Sequence, residues 1–375
     1  MIEWLIKIGV MMGVILGACS YLIYVERKLA AYMQDRIGPN RVGPFGLLQP
    51  LADGLKFLLK EDVIPRHADK LLFVLAPGIA IVTTMLAFAV VPFGPTSSNP
   101  DEWQFVIAPG LDIGIIFIFA VGSLAVYGII LGGWASNNKY SLLGALRSSA
   151  QVISYEIPLA TSVLGVVLMS GTLNLERIVQ YQASGFLNWN AWTQPLAMLI
   201  FLVSALAEAN RLPFDLPEAE QELIGGYHTE YSAMKFAMFF LGEYTHMITI
   251  SFLVAVVFFG GWHFPWIAEM GSTYTGAWAV KVGVLAAKVG VMIIFIMLIR
   301  WTLPRFRFDQ LMTLAWQGLV PLAFINVLLV TFVKQFGWPP WWLTIASIGL
   351  FVGAVAMNGM MLQRRIRSMP TAAAR

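Results

Sequence analysis

The chain has 375 residues, of which 58% are hydrophobic and 12% charged, and its mean hydropathy is +0.73. A soluble protein of this length could not keep so much apolar area out of water, so the composition excludes that class and predicts a surface largely solvated by lipid. The net charge of +3, without a long run of lysines and arginines, gives no reason to expect nucleic acid as a partner. The single cysteine, Cys19, excludes a disulfide framework.

Nine apolar segments are long enough to cross a membrane as helices, because a bilayer core takes about 20 residues of helix. They show no strand-like alternation, and backbone groups in lipid must be paired within the segment, so helices are expected rather than a barrel. We expect an all-α polytopic membrane protein, one integral membrane domain over residues 1–375. The first segment is too long for a signal peptide and lacks a small-residue cleavage site. The predicted spans are roughly 4–25, 72–94, 113–135, 152–172, 192–208, 234–261, 279–300, 317–336 and 341–362.

Lysines and arginines are concentrated in every second loop. With the flanking Lys235 and Arg300, one set of loops and the C-terminal tail hold 19 of the 24. Positive residues favour the cytoplasmic side, so this set is expected to face the cytoplasm, with the N-terminus outside and the C-terminus inside. The loops of this set are 26–71, 136–151, 209–233 and 301–316.

The first of these loops, residues 26–71, opens with E-R-K and continues through a stretch rich in glycine and proline that predicts a rigid path. The following G-L-L-Q-P-L-A-D-G-L-K-F-L-L-K places leucines on one helical face and Gln49, Asp53, Lys56 and Lys60 on the other. This pattern predicts a short amphipathic helix near the membrane interface. A plain surface anchor explains that helix equally well.

The loop at 208–233 carries an unusual concentration of negative charge: six of the chain's 21 acidic residues lie between Glu208 and Glu230. Pro213 and Pro217 break the helix, and a helical turn or two is expected over 218–223. A solvated acidic face would explain this loop by itself. Ionisable residues also occur within the predicted spans, however, where each costs about 2.5–3.5 kcal/mol on insertion scales, and such groups usually line a wet cavity or a proton path.

Several other chemistries are not expected on this chain. The four histidines show no paired metal-ligand spacing, and there is no CxxC, P-loop or dinucleotide-binding glycine motif. We therefore expect no metal or redox cofactor here. Redox chemistry would take place on a partner, and the chain could receive a lipophilic substrate from the bilayer.

Several long stretches of this chain match one family. They are E-R-K-L-A-A-Y-M-Q-D-R-I-G-P-N-R-V-G-P-F-G-L-L-Q-P-L-A-D-G-L-K from Glu26, G-G-W-A-S-N-N-K-Y-S-L-L-G-A-L-R from Gly132, S-Y-E-I-P from Ser154, the acidic loop, and P-R-F-R-F-D-Q-L-M from Pro304. Through them the chain resembles, from about Glu26 to Gln317, the H subunit of NADH-quinone oxidoreductase (respiratory complex I), the membrane subunit that closes the quinone chamber. It departs from the usual family pattern at Ala209, where Thr is common, at Gln317, where Lys is common, and in the extra C-terminal span.

The resemblance implies a function for the chain as a whole. Together with other membrane and peripheral subunits it would form a quinone tunnel and couple quinone reduction to proton pumping in the bacterial inner membrane. NADH, FMN and iron–sulfur clusters would be held by partners, and quinone reduction itself would occur on a partner's residues.

The resemblance also implies roles for particular positions, none of them catalytic. The tunnel would be bordered by Glu26, Arg27, Arg36, Arg41 and Asp53. The charge relay would comprise Glu156, Glu208, Arg211, Asp215, Glu218, Glu220, Glu222, Glu230, Glu243 and Lys288, and Arg300, Arg305 and Asp309 would brace the last inward loop.

Three alternative functions make different predictions about the sequence. The membrane anchor of an energy-converting hydrogenase would handle no quinone, and it predicts erosion of the E-R-K and G-P-N-R-V-G-P stretches, which are intact. A stand-alone transporter would favour broken helices and inverted repeats, and we find no repeat. A purely structural anchor gives no reason for Glu243 and Lys288 within apolar spans.

Overall fold

A computed structural model describes residues 2–96, 104–215, 225–269, 271 and 276–368, with side chains from residue 4 to residue 356 of these ranges. Within them the chain is helical, and the only strand-like pairing is an isolated bridge between Phe264 and Ala268. The all-α expectation is confirmed.

The N-terminal part consists of helices α1 (Ile2–Met33), α2 (Gln49–Leu59) and α3 (Lys70–Leu86), with a 3-10 turn at Pro44–Gly46. Helix α2 is the predicted amphipathic helix. None of its residues is buried, and Leu51, Leu55 and Leu58 are exposed. An apolar face that the chain itself leaves uncovered fits a helix lying in the membrane interface.

The centre of the bundle is formed by α4 (Gly114–Ala135), α5 (Lys139–Ser170), α8 (Pro195–Glu208) and α9 (Ala233–Phe258). Helix α4 packs between α3 and α5, and α8 lies against α5. Helix α9 is the most enclosed of the long apolar helices, with 72% of its most apolar window buried. Polar side chains on α9 are therefore held inside the protein rather than in lipid.

The remaining helices complete the bundle. Two short helices, α6 (Leu175–Gln182) and α7 (Asn190–Thr193), lie between α5 and α8. Next come α10 (Ala277–Thr302), α11 (Phe308–Thr313), a π-helical stretch at Leu314–Leu319, α12 (Val320–Gln335) and α13 (Trp341–Ser368). Gln317 is exposed within the π-helical stretch.

Each predicted span coincides with a helix, although their lengths differ. Among the described residues, seven helices are long and apolar enough to cross a membrane. Two further apolar helices, Pro195–Glu208 and Trp341–Ala356, are shorter by that measure. The chain is thus a multi-pass membrane protein, and nine crossings stay a prediction. We call the end where α8 finishes and α9 starts the acidic end, and the end where α9 finishes the opposite end.

Candidate functional site

Four residues far apart in sequence form one buried charged cluster at the acidic end. Glu26 of α1 is 5% exposed and accepts hydrogen bonds from Arg211 Nη1 (3.3 and 3.2 Å), from Arg300 Nη1 and from the Tyr244 hydroxyl (2.6 Å). The Arg211 guanidinium also lies 4.2 Å from the centre of the Tyr244 ring. We call this group the Glu26 cluster. It joins the predicted tunnel, relay and bracing residues in one site.

Arg211 carries a permanent charge within this cluster. Burial acts to lower the pKa of its guanidinium, but the carboxylates of Glu26 and Glu243 outweigh that effect and hold the pKa above its usual value. A buried cation of this kind is stable only while its anionic partners remain beside it. Arg211 therefore links Glu26 electrostatically to Glu243, which lies deeper along α9.

A pocket of about 530 Å³ opens beside the Glu26 cluster, and we call it the polar pocket. A volume of this size falls within the usual range for small-molecule sites. Its polar lining consists mainly of Glu26, Arg27, Arg36, Tyr244 and Arg300. Three of the five residues predicted to border the tunnel therefore share one pocket.

The polar pocket is walled on one side by the loop that follows α1. Gly46 of this loop has φ of 84°, and a Cβ there would lie 2.3 Å from the Pro39 carbonyl oxygen, so only glycine fits. The Tyr24 hydroxyl donates a 2.7 Å hydrogen bond to the Phe45 carbonyl, which holds the loop on α1. The rigid path predicted from the glycines and prolines is consistent with these contacts, and it places Arg36 on the pocket.

A second, apolar pocket of about 190 Å³ lies between α1, α2 and α9, and we call it the apolar cleft. It shares Ile23 and Phe240 with the polar pocket, so the two adjoin. Asp53 lines the cleft and pairs with Arg27 across 2.7 Å. Arg41 is exposed and lines neither pocket.

Deeper in the bundle, Glu208 and Glu243 line one small interior cavity of about 60 Å³. This volume is enough for a few water molecules. Tyr227 donates a 3.3 Å hydrogen bond to Glu243 across the cavity wall. Ala209, where the family usually has threonine, is buried on the same wall. The two intramembrane glutamates predicted for the relay thus face a common polar space.

The relay candidates continue beyond the interior cavity. His246 of α9 has Nε2 3.5 Å from Glu208 Oε1, without the geometry of a hydrogen bond. Glu208 also interacts electrostatically with Glu156 of α5, whose carboxylate accepts a short hydrogen bond from Ser123. Glu156, Glu208 and Glu243 are therefore brought together by α5, α8 and α9.

The segment that enters the acidic loop is tied to the loop before α11. Asp215 is 2% exposed and pairs with Arg305 at 3.4 Å, while the Phe214 and Phe306 rings stack at 5.6 Å. Gln151 of α5 donates 2.7 Å hydrogen bonds to the carbonyls of Ala207 and Phe214. Arg305 thus performs the predicted bracing contact through Asp215.

The segment that leaves the acidic loop is tied to two other loops at the same end. Glu230 accepts a 2.7 Å hydrogen bond from Asn138, which also caps the start of α5. Tyr231 stacks on Phe73 with the ring centroids 4.0 Å apart. Burial raises the pKa of the Tyr231 hydroxyl, so this ring stays neutral. Both described ends of the acidic loop are therefore fixed.

Five predicted residues fall outside these contacts as far as the structure describes the chain. Glu218, Glu220 and Glu222 lie outside the described residues, so their roles stay predictions. Asp309 is exposed in the first turn of α11, where a negative charge suits the helix N-terminus. Lys288 donates its hydrogen bonds to backbone carbonyls at the opposite end and not to the predicted carboxylates.

Sequence reasoning missed several residues that complete the site. Tyr244, Tyr227 and His246 contact the predicted glutamates, and Gln151 fixes the turn after α8. The signal for His246 was present, since it follows Glu243 by three residues on one helix. Gln151 and Tyr227 gave no such signal, because each acts across a tertiary contact. Among the described residues, no group of three or more His, Cys, Asp or Glu is placed to hold a metal ion.

Comparison with known proteins agrees with this architecture. The profile of the NADH dehydrogenase family matches residues 6–331. An H subunit of NADH-quinone oxidoreductase from Cytophaga hutchinsonii, the first of two by its name, is 46% identical over 329 residues. The match covers 88% of this chain and 96% of that protein.

Two further relatives are similar over most of their length. NADH-quinone oxidoreductase subunit 8 from Rhodothermus marinus is 48% identical over 319 residues, which cover 83% of this chain and 91% of the relative. The H subunit of the enzyme from Thermomicrobium roseum is 47% identical over 335 residues, which cover 88% and 95%. These similarities confirm the resemblance drawn from the motifs. The chain belongs to the NADH dehydrogenase family.

Proposed function

We propose that this chain is the membrane subunit of a proton-translocating NADH-quinone oxidoreductase that admits quinone and couples its reduction to proton transport. The observation that carries the proposal is the polar pocket with Glu26, Arg211 and Arg300 at its wall. A quinone headgroup presents two carbonyl oxygens and accepts protons on reduction. A pocket lined by cations and by a carboxylate that is hydrogen-bonded to a tyrosine suits such a headgroup.

The apolar cleft supports access from the bilayer. Its walls are largely apolar and include Ile23, Phe57 and Leu58, and it adjoins the polar pocket at Ile23 and Phe240. A lipophilic tail would lie along the cleft while the headgroup occupies the polar pocket. The exposed leucines of α2 would keep this entrance at the membrane interface.

The arrangement of charges supports coupling to proton transfer. Reduction of a quinone beside Glu26 changes the charge in the polar pocket, and Arg211 is the cation that Glu26 and Glu243 share. A change at Glu26 would thereby alter the field at Glu243 and at the interior cavity with Glu208. Glu156 and His246 would extend the route, since they lie next to Glu208.

Other parts of the enzyme would be supplied by partners. NADH, FMN and iron–sulfur clusters would reside on peripheral subunits that cover the acidic end, and this chain would bind no cofactor itself. The acidic end would face the cytoplasm of a bacterial inner membrane, as the loop charges predict.

The substitution Glu26→Gln in the whole complex tests the quinone role. Losing the charge-assisted hydrogen bonds to two arginines costs about 1.5–3 kcal/mol, which corresponds to roughly a 10- to 100-fold fall in quinone reduction. NADH oxidation by a water-soluble artificial acceptor should stay unchanged, because that reaction needs only the peripheral subunits. The measurement is the ratio of the two activities in isolated membranes.

Glu61→Gln serves as the matched control, since Glu61 is an exposed carboxylate of the same loop. It should keep both activities at the parental level. Parental quinone reduction in Glu26→Gln, with the complex assembled, would rule out the polar pocket as the quinone site.

A further inference from the structure

At the opposite end, helix α9 finishes in a buried polar cap that the relay does not use. The last carbonyls of a helix have no partner within it and need one from elsewhere. Lys288 of α10 donates three hydrogen bonds, to the carbonyl oxygens of Phe259 (2.6 Å), Gly261 (2.9 Å) and His263 (2.7 Å). These carbonyls lie directly after the C-terminus of α9, so one ammonium group fixes the whole turn that follows.

Two buried amides extend this cap to the last turn of α9. Gln182 of α6 donates to the Val256 carbonyl at 3.0 Å, and Asn190 of α7 donates to the Val257 carbonyl at 2.8 Å. The Gln182 side-chain oxygen accepts the Gly260 amide at 3.1 Å. Both amide residues are almost fully buried. Three other helices thus hold the end of α9.

The environment of Lys288 satisfies its charge without a carboxylate. An ammonium has three donors, and all three are used on carbonyls. The carbonyl end of a helix carries partial negative charge that stabilises a cation. The Trp189 ring lies 4.4 Å from Nζ and adds a cation–π contact. Burial and the neighbouring Lys288 hold the pKa of His263 below its ordinary value, so no second cation arises beside it at neutral pH.

The cap leaves little room for the turn to move. Gly260 has φ of 68°, and a Cβ there would lie 2.7 Å from Trp189 Nε1. Trp189 itself is buried against Phe259 and Phe264. The backbone after α9 is therefore packed against a rigid ring as well as bonded to Lys288.

We propose that Lys288 is a positioning residue that anchors α9, acting as a fixed charge and not as a proton carrier. Glu243, Tyr244 and His246 lie on α9 about 20–25 Å from the cap at 1.5 Å per residue. A continuous, largely buried helix transmits any slip or rotation of its capped end to these side chains. Lys288 thereby sets the register of Glu243 against Tyr227 and of Tyr244 against Glu26.

The proposal rests on the proposed function for the role of Glu243, and it is tested in the assembled complex. Arginine keeps the charge and donors but does not release a proton near neutral pH, so Lys288→Arg should retain quinone reduction and the protons moved per NADH. Lys288→Met loses every cap bond, and its quinone reduction per assembled complex should fall severalfold. Lys334→Met, at an exposed lysine on α12, is the control and should match the parent.

A double-mutant cycle separates positioning from a general loss of stability. If Lys288 acts through α9, Lys288→Met combined with Glu243→Gln should lose little more activity than Glu243→Gln alone. Where Lys288→Met does not assemble, Lys288→Gln takes its place in the cycle. Independent, additive losses would overturn the proposal.

Two further outcomes would also overturn it. Lys288→Arg that reduces quinone but no longer moves protons would make Lys288 a proton carrier. Parental activity in Lys288→Met would show that the cap is dispensable. A failure of the proposed function is distinct from both, because it would leave quinone reduction intact in Glu26→Gln.

Discussion

The two ends of helix α9 hold a buried cation in different ways. At the acidic end, Arg211 lies against the Glu26 carboxylate and the Tyr244 ring. At the opposite end, Lys288 gives its donors to backbone carbonyls. A carboxylate can gain a proton and change its charge, whereas a carbonyl cannot. The acidic end can therefore respond to chemistry in the polar pocket, while the opposite end offers a fixed point against which that response acts.

The largest effect that this comparison predicts is that of Arg211→Met. Removing one partner of a buried ion pair leaves the other charge uncompensated, at a cost of about 3–5 kcal/mol. We expect little assembled complex and no measurable quinone reduction. The amount of this chain in the purified complex and the activity per complex are the measurements.

The double variant Glu26→Gln with Arg211→Met sharpens that test, because it removes both charges together. It should assemble better than Arg211→Met alone, although it should remain inactive toward quinone. Equal assembly of the single and double variants would contradict a pairing between these two residues.

A smaller effect is expected for Glu208→Gln, which preserves shape but cannot carry a proton. Loss of a positioned proton-transfer group costs about 100-fold or more in rate. We expect normal assembly, since Glu208 makes no ion pair with Arg or Lys among the described residues, and a corresponding loss of coupled proton movement. Proton uptake by vesicles during NADH oxidation is the measurement.

Asp112→Asn is the control for Glu208→Gln, because Asp112 is an exposed carboxylate that faces Arg177 at the opposite end. It should move protons at the parental rate. Undiminished proton movement in Glu208→Gln would remove Glu208 from the relay.

The smallest expected effect distinguishes two arginines of the first loop. Arg36 lines the polar pocket, whereas Arg41 lines neither pocket. Arg36→Ala should raise the KM for a soluble quinone roughly two- to fivefold, as befits one exposed charge, and Arg41→Ala should leave it unchanged. Equal shifts in the two variants would show that the loop contributes only general positive charge.

Much of the fold could be predicted because the signals are local. Apolar runs predicted the helices, and the leucine pattern predicted α2. The start of α5 at Asn138 fits a capping residue before a helix, although the length of α5 exceeds the predicted span because its first turns are polar. Helix α1 likewise continues to Met33 past the predicted membrane edge.

The site was predictable only in part. Family motifs pointed to Glu26, Arg211 and Arg300 as separate groups with separate roles. Their contact joins positions 185 and 274 residues apart, which no spacing rule reaches. Lys288 was expected in the relay because a lysine in an apolar span is costly, but that cost does not identify its partner.

The sequence by itself determined that this chain lives in a membrane, which segments are helical and which family it belongs to. Those properties follow from hydropathy and motifs, and each can be read within a short window. Only the tertiary structure decided that Glu26 meets two arginines, that Glu208 and Glu243 share a cavity, and that Lys288 caps α9. The physical reason is that charges inside a membrane protein are stabilised by whichever helix packs beside them, and packing is a property of the whole bundle.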